Sequence, residues 1–325
     1  LLCVKNDNFV MMDNLQEKFP IVDENGATIG AATRSECHNG SRLLHPVVHL
    51  HVFNSRGEVY LQKRPEWKDV QPGKWDTAVG GHVDFGETPE EALRREVGEE
   101  LGISDFAPDF IGKYVFDSQR ERELVYVNCT IYDGVIKPSE EELDGGRFWT
   151  LQEIREAMGK GVLTPNFELE FQQFFLHKIE KYRLLTDQIR TLTEGETDAV
   201  AVMAIVCAAI HEAMGFFWTG FYRVNGGELV LGPFQGPVAC MHIAFGRGVC
   251  GTAWERRATV IVPDVEQFPG HIACSSLSRS EIVVPVFSKD GEMRAVLDID
   301  SKALSTFDAI DRFYLERICR ISPLD

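Results

Sequence analysis

The sequence predicts a two-domain protein of the mixed α/β (α+β) class. Its 325 residues are about twice the length of a typical domain, which is about 150 residues. Short strand-like apolar runs alternate with helical segments in both halves, and the polar stretch TEGETD interrupts this pattern between them. We therefore predict an N-terminal extension at 1–18, a first domain at 19–180, a helical linker at 181–196 and a second domain at 197–325.

The first half has the pattern of a sheet combined with an acidic helix. Its strand-like runs are VVHLHVF, EVYLQKR, YVFDS and LVYVNCTIYDG, and turn residues at 54–57 separate the first two. Thr88-Pro89 and Gly102 predict a helix between them, because Pro favours the first helical turn and Gly favours the position after the last. Helical periodicity then dominates from about Leu151 to Leu185.

The second half begins with an Ala-rich helix, expected at Ala199 to Met214. Strand-like segments follow as FFWTGFYRV, ELVLGPF, ATVIVPD, EIVVPVF and MRAVLDID. A closing helix is expected from about Phe307 to Ile321. The exposed apolar face expected on the Ala-rich helix is a candidate homodimer interface.

The composition argues against several classes of function. A net charge of −17 repels polyphosphate backbones, and no Lys/Arg cluster stands out, so no nucleic-acid partner is expected. No apolar run approaches the roughly 20 residues that span a bilayer, and charged residues interrupt the first 15 residues where a signal peptide would be apolar. We predict a cytoplasmic protein without a membrane partner, whose eight cysteines are buried or redox-active rather than a structural scaffold.

The acidic helix predicts a metal site. Glu96, Glu99 and Glu100 stand at i, i+3 and i+4 and share one helix face. Carboxylates crowded in this way repel one another unless a hard divalent cation binds them, and Mg²⁺ or Mn²⁺ prefers such oxygen ligands. The pattern therefore predicts metal-assisted substitution at a diphosphate.

The segment GGHVDFGETPEEALRREVGEELGI resembles the Nudix box, G-x5-E-x7-R-E-U-x-E-E-x-G-U, in nine separated positions. The resemblance covers about 19–175 and implies an α/β/α sandwich, a Mg²⁺ requirement and hydrolysis of a nucleoside diphosphate linked to another group. It carries over the three glutamates as metal ligands, the Gly81 carbonyl as a further ligand, and Glu87 and Arg95 as supporting positions.

The flanking sequence looks like the Nudix branch related to isopentenyl diphosphate isomerase. That isomerase needs a cysteine in the strand before the box, whereas WDTAVG occupies this stretch here, so hydrolysis is favoured over isomerisation. Four histidines could bind metal or substrate, or could simply be half-buried: His45, His49, His51 and His82. Glu140, Glu141 and Glu142 fall where relatives place a late carboxylate base, or they form a solvated loop.

The second half places three cysteines in loop-like contexts: Cys240, Cys250 and Cys274. Cys207 and Cys319 instead lie in apolar helical stretches typical of core thiols. Arg247 and His271 could lower the pKa of a loop thiol. The remaining candidate site residues are three carboxylates able to hold an ammonium group and two aromatic residues able to wall a cavity: Glu281, Asp298, Asp300, Trp218 and Tyr222.

The stretch from FFWTGFYRV to VLDIDS resembles the free methionine (R)-sulfoxide reductases of the GAF fold, over nearly all of 197–325. The resemblance implies a central antiparallel sheet flanked by helices. It implies that Cys274 attacks the sulfoxide, that Cys240 resolves the sulfenic acid as a disulfide, and that an external thioredoxin-like dithiol reduces it. The resemblance assigns Cys250 a weaker role in thiol exchange. It assigns the three carboxylates to substrate binding and proton transfer, and the two aromatic residues to the pocket walls.

The sequence thus predicts a bifunctional enzyme with Mg²⁺ or Mn²⁺ and no organic cofactor. Its small-molecule partners would be a diphosphate compound and free L-methionine (R)-sulfoxide. An alternative keeps the hydrolase and makes the GAF domain a ligand or redox sensor that turns over nothing; both attacking and resolving thiols at Cys274 and Cys240 argue against this reading.

Overall fold

The structure, a computed structural model, describes residues 16–68, 70–272 and 275–321. The chain divides into two compact units, Leu1–Glu168 and Leu169–Asp325. The structure therefore bears out two domains of mixed α/β architecture, the first with a mixed sheet and the second with an antiparallel sheet.

The first unit contains nine strands and four α-helices among the described residues. The strands are β1 (Lys18–Val22), β2 (Thr28–Thr33), β3 (Leu44–Phe53), β4 (Val59–Lys63), β5 (Trp75–Asp76), β6 (Val79–His82), β7 (Asp109–Asp117), β8 (Arg122–Ile131) and β9 (Gly146–Trp149). The helices are α1 (Arg34–Cys37), α2 (Pro89–Leu101), α3 (Leu151–Ala157) and α4 (Pro165–Glu170), the last of which runs into the second unit.

Strand β3 organises the first sheet. One edge of β3 pairs in parallel with β8 along its full length. The other edge pairs with β6 in its middle, at residues 47–50, and with β4 at its end, at residues 52–53, both antiparallel. This split pairing separates β6 from β4 in the sheet, and α2 packs over β6 and β3.

Helix α2 begins and ends where the sequence predicts. Thr88 and Glu91 form a reciprocal capping box, Pro89 occupies the first turn, and Gly102 adopts the left-handed conformation that closes the helix. The apolar face of α2 is buried in a core that includes Leu93, Val97 and residues of β3 and β6. These contacts fix the orientation of the glutamate-bearing face.

The second unit begins with a continuous helical segment. A π-helical stretch at Phe171–Leu176 leads into α5 (His177–Thr193). The remaining elements are α6 (Ala199–Met214), β10 (Trp218–Asn225), β11 (Glu228–Gln235), β12 (His242–Ala244), α7 (Gly248–Arg256), β13 (Val260–Val262), a 3₁₀ turn (Val265–Gln267), β14 (Ser280–Phe287), β15 (Met293–Ser301) and α8 (Ala309–Ile321).

The second sheet is antiparallel throughout, in the order β12-β11-β10-β15-β14-β13. Gly226 and Gly227, both with positive φ, form the tight turn between β10 and β11. Two-residue hairpins of this type need positive φ at both central residues, which Gly supplies at low steric cost. Helix α6 packs against β10 and β11, and α8 packs against β14.

The helix predicted as a linker belongs to the second unit instead. Tyr182 and Ile189 of α5 are buried, and α5 packs against α6 and α8. The Tyr182 hydroxyl donates to Asp311 Oδ1 at 2.8 Å, and Lys178 Nζ lies 2.5 Å from Asp311 Oδ2. This buried charged network attaches α5 to α8, and the division into two compact units falls between residues 168 and 169.

Two smaller differences concern strands and ends. The run WDTAVG is not one strand, because β5 and β6 pair with different neighbours, β4 and β3 respectively. The last helix starts at Ala309, two residues after the predicted start. Within the described part of the chain, no helix is both long and apolar enough to cross a membrane.

Candidate active sites

The first candidate site lies where α2 faces β6. Gly81 in β6 leaves the space that Glu96 occupies, since a Cβ at position 81 would lie 2.1 Å from the Glu96 Cδ. Glu100 is buried, with the Gln62 amide 3.5 Å from its Oε2. Glu99 differs from these two, because its side chain is 54% exposed. The structure therefore brings Glu96 and Gly81 together and leaves Glu99 on the solvent side.

Arg95 connects the supporting residues of the box. Its guanidinium donates two hydrogen bonds of 2.9 Å to the two oxygens of Glu87. It also donates to Glu96 Oε1 at 2.8 Å, to Glu99 Oε2 at 3.3 Å and to the His82 carbonyl at 3.0 Å. Bidentate Arg–carboxylate bonds are strong and directional, so this arginine holds the glutamates of α2 against the strand.

Burial makes negative charge costly in this site. It raises the pKa of Glu96 to about 7, despite the opposing effect of Arg95, and raises the pKa of Glu100 well above its usual range. The nearby charge of Glu142 raises both pKa values further. Of the three late glutamates, Glu142 is thus the one whose charge acts on the α2 carboxylates.

The chemistry of the donor set suits a hard divalent cation, although in the described part of the chain the ligand atoms of the three glutamates do not all lie within 4.8 Å of one another. Glu96, Glu99 and Glu100 offer carboxylate oxygens, of which Glu96 Oε1 and Glu99 Oε2 accept hydrogen bonds from Arg95 in this structure. A cation between the buried carboxylates would remove the repulsion that raises their pKa values. Mg²⁺ and Mn²⁺ take such oxygen ligands.

A histidine cluster forms a second polar centre in the first unit. The candidate ligand atoms of His38, His45 and His82 all lie within 4.8 Å of one another. The Nε2 atoms of His38 and His82 are 3.1 Å apart, and the buried Nε2 of His45 has no hydrogen-bond partner. Burial lowers the pKa of His45 and His82, which keeps these imidazoles neutral and able to bind a metal.

Sequence reasoning named His45 and His82 but missed His38. His38 directly follows α1 and meets His82 only through the fold, 44 residues away. His49 lies against Gly80 instead, and His51 packs near the Phe167 ring. The polar residues around His38, such as Glu121 at 3.5 Å from its Nδ1, are also distant in sequence.

The second candidate site is a pocket in the second unit. Most of its sequence-predicted members line it, namely Trp218, Tyr222, Arg247, Cys250, His271, Glu281, Asp298 and Asp300. Trp218 and Tyr222 stack with centroids 5.9 Å apart. The Tyr222 hydroxyl donates to the Cys240 carbonyl at 3.0 Å, and the Trp218 indole donates to the Pro237 carbonyl at 3.1 Å. The aromatic walls thereby fix the loop that carries Cys240.

Strand register explains why the three carboxylates meet. Glu281 of β14 lies opposite Asp300 of β15, and Asp298 is two residues from Asp300 on the same face. Burial raises the pKa of all three, that of Asp300 to about 6. Ser278 donates a hydrogen bond to Asp300 Oδ1 and moderates this shift.

The thiols differ in their surroundings. Cys250 lies buried in the first turn of α7 rather than in a loop, and burial and Asp298 raise its pKa well above the usual range. The expectation that Arg247 and His271 lower a thiol pKa thus fails at Cys250. Cys240 is disulfide-bonded, and Cys274 lies outside the described residues.

Cys207 and Cys319 are buried in α6 and α8, as the sequence predicts for core thiols. Burial raises the pKa of Cys207 to about 12. The Cys207 thiol donates to the Pro233 carbonyl at 3.2 Å, which is a structural contact.

Two families match the chain. Residues 43–167 match the NUDIX domain family, and residues 196–321 match the GAF domain family. An isopentenyl-diphosphate Delta-isomerase from Mycolicibacterium vanbaalenii is 33% identical over 143 residues, covering 42% of this chain and 79% of the relative. An uncharacterized Nudix hydrolase from Pseudomonas aeruginosa is 35% identical over 127 residues, covering 39% of this chain and 75% of the relative.

The second unit matches named reductases. The free methionine-R-sulfoxide reductase of Saccharomyces cerevisiae is 41% identical over 154 residues, covering 45% of this chain and 86% of the relative. The X-ray structure of free methionine-R-sulfoxide reductase from Neisseria meningitidis, in complex with its substrate, is 54% identical and covers 44% of this chain and 87% of that chain, with a TM-score of 0.43. The chain therefore belongs to two families, joining a NUDIX domain that has isopentenyl-diphosphate isomerase relatives to a GAF domain homologous to the free methionine-R-sulfoxide reductases.

Proposed function

We propose that the chain is a bifunctional enzyme. The GAF domain reduces free L-methionine (R)-sulfoxide to methionine, and the NUDIX domain hydrolyses a diphosphate-linked small molecule with Mg²⁺ or Mn²⁺. The observation that carries the reductase proposal is the gathering of Trp218, Tyr222 and three buried carboxylates in one pocket beside the Cys240 loop. Identity of 41% to a named reductase supports the same assignment.

The pocket chemistry suits a zwitterion that carries a sulfoxide. An ionised Asp300 accepts the substrate ammonium group, which compensates its burial. Glu281 and Asp298, whose pKa values are raised by burial, stay protonated and donate to the sulfoxide oxygen. Trp218 and Tyr222 enclose the apolar part of the side chain.

The redox step balances within the enzyme and one external dithiol. The Cys274 thiolate attacks the sulfoxide sulfur, which is reduced by two electrons and leaves as the thioether of methionine. Cys274 keeps the oxygen as a sulfenic acid. The Cys240 thiol then displaces this oxygen as water and forms a disulfide, which a thioredoxin-like dithiol reduces.

Thioredoxin-coupled NADPH consumption tests the reductase activity. The wild type should turn over the (R) epimer of free methionine sulfoxide and leave the (S) epimer unchanged. Cys274→Ser should lose this turnover. A folded, reduced wild type without turnover would favour the sensor alternative, in which the GAF domain binds a ligand that alters hydrolysis by the NUDIX domain.

In the NUDIX domain, Glu96, Glu99 and Glu100, with the Gly81 carbonyl, would hold the divalent cation. When bound, the cation neutralises the diphosphate and makes a water molecule nucleophilic. The water oxygen forms a bond to phosphorus as the bridging P–O bond breaks. Glu142, which acts on the pKa of the buried glutamates, takes the proton from the attacking water.

Isopentenyl diphosphate isomerisation is the second candidate for this domain, because an isomerase relative is 33% identical. The residues from Trp75 to Gly81 include no cysteine for the proton transfer. A panel of nucleoside diphosphate derivatives and isopentenyl diphosphate, assayed with Mg²⁺, separates these reactions. Release of phosphate-containing products supports hydrolysis, and formation of the isomeric isoprenoid diphosphate overturns it.

A further inference from the structure

The pocket of the GAF domain brings together a thiol, an imidazole and two carboxyl groups, which are all possible metal ligands. Cys250 Sγ and carboxylate oxygens of Glu281 and Asp298 all lie within 4.8 Å of one another, and all three residues are buried. His271 extends the set, because its Nε2 lies 3.9 Å from Glu281 Oε2. Sulfur, imidazole nitrogen and carboxylate oxygen are the ligands that Zn²⁺ uses in proteins.

One of these atoms is unsatisfied. Asp298 lines the pocket and is only 7% exposed. Its Oδ1 atom is buried and has no hydrogen-bond partner. Leaving a buried acceptor unpaired destabilises the folded protein, because the oxygen has lost its hydration without gaining a hydrogen bond. The Cys250 thiol and Glu281 hydrogen-bond to the Asp298 carboxyl, yet its Oδ1 atom keeps no partner. An ammonium group could satisfy Oδ1 alone. A metal ion would use both the oxygen and the sulfur.

We propose that this pocket binds Zn²⁺ through Cys250, Asp298 and Glu281, with His271 as the fourth ligand, and that Zn²⁺ thereby competes with the sulfoxide substrate. Its inhibitory effect rests on the proposed reductase function, whereas the binding itself does not. Coordination forms one Zn–S bond and two Zn–O bonds, and it releases to solvent the proton of Cys250 and those of the protonated Glu281 and Asp298. No electron is transferred, and a chelator reverses the reaction.

Ligand spacing sets the adjustment that binding requires. Zn–S bonds are about 2.3 Å and Zn–O bonds about 2.0 Å long, so tetrahedral ligand atoms lie about 3.5 Å apart. The three ligand atoms lie at most 4.8 Å from one another, so only small side-chain movements would bring them to this spacing. The carboxylates stand on paired strands β14 and β15, while His271 lies in a loop and can approach.

Cobalt substitution tests binding without turnover. Co²⁺ added to the reduced full-length protein should give a thiolate-to-cobalt charge-transfer band and visible bands of a tetrahedral site. Among the described residues, no cysteine belongs to the histidine cluster or to the glutamate face of α2, so these two centres of the NUDIX domain give no thiolate-to-cobalt band. Cys250→Ser should lose this band, whereas Cys240→Ser should keep it.

Asp298→Asn provides a variant that preserves side-chain volume, and it should weaken Co²⁺ and Zn²⁺ binding by at least tenfold, on the order of the loss caused by disturbing a metal site. Absence of the band in the wild type, its persistence in Cys250→Ser or its loss in Cys240→Ser would overturn the proposal. Circular dichroism verifies that each variant is folded.

Single-turnover formation of methionine, with pre-reduced enzyme and no external dithiol, then measures inhibition. Zn²⁺ should slow this turnover at least tenfold in the wild type, with recovery on adding EDTA, and should not slow it in Cys250→Ser. A charge-transfer band without any reductase turnover would contradict the proposed function and leave the metal site intact. Turnover that Zn²⁺ inhibits equally in Cys250→Ser would refute the site.

Discussion

Replacing Gly81 with alanine should damage the NUDIX site without unfolding the domain. The new Cβ would lie 2.1 Å from Glu96 Cδ and 2.3 Å from its Cγ and Oε1, whereas ordinary contact begins at 3.4 Å. Glu96 must therefore move by about 1 Å, away from its hydrogen bond with Arg95. Misplacing a catalytic group by about 1 Å can cost 10²-fold in rate, so hydrolysis should fall about 100-fold.

Mn²⁺ binding followed by electron paramagnetic resonance provides an assay that needs no substrate. Gly81→Ala should weaken Mn²⁺ binding by about 10- to 100-fold. Gly98→Ala is the matched control on α2, because a Cβ there meets nothing within 4 Å and Ala favours the helix. Unchanged Mn²⁺ affinity in a folded Gly81→Ala variant would refute the role of Gly81 in positioning Glu96.

Three further predictions concern other contacts. Ser278→Ala removes the hydrogen bond to Asp300, which lowers the pKa of Asp300 from what burial alone would give; this pKa is about 6. Because substrate binding needs ionised Asp300, the acid limb of kcat/KM should move to higher pH. KM should rise about tenfold, the equivalent of about 1.4 kcal/mol. Tyr182→Phe removes a hydrogen bond to buried Asp311 and should lower the free energy of unfolding of the second unit by about 1.5–3 kcal/mol, measured by urea denaturation. Glu142→Gln removes a charge near the metal site and should weaken Mn²⁺ binding about tenfold.

Conservative and distant variants control these three measurements. Ser278→Thr retains a hydroxyl and should restore most of the KM. Thr191→Ala, at an exposed position of α5, should change stability by less than about 0.5 kcal/mol. Glu140→Gln should leave Mn²⁺ affinity unchanged. An unshifted pH profile in Ser278→Ala, wild-type stability in Tyr182→Phe, or equal effects of Glu140→Gln and Glu142→Gln would each contradict the corresponding contact.

Local signals explain why some elements were predictable. The capping box and terminal glycine of α2 are encoded within 15 residues, and the structure places its ends accordingly. The alternation of Asp298 and Asp300 on one strand likewise predicts a shared face. Helix ends and strand faces depend on residues that are close together in the sequence, so a local sequence pattern is enough to predict them.

Other features depend on pairings that no local pattern encodes. Glycines around Cys250 resemble a loop, yet Gly248 begins α7 with a positive φ and the thiol becomes buried. His38 joins His82 only after β3 and β6 pair. The polar break after α5 suggested a linker. The contact that packs α5 into the second unit was not visible in the local sequence, because Tyr182 and Asp311 are 129 positions apart.

Bifunctionality is tested by measuring both activities on one preparation of the full chain. Glu100→Gln should abolish Mg²⁺-dependent hydrolysis and leave reduction of methionine (R)-sulfoxide unchanged, whereas Cys274→Ser should do the reverse. This result would establish two independent active sites in one protein. Loss of both activities in either folded variant, or no sulfoxide turnover in the reduced wild type, would contradict the assignment of two independent active sites.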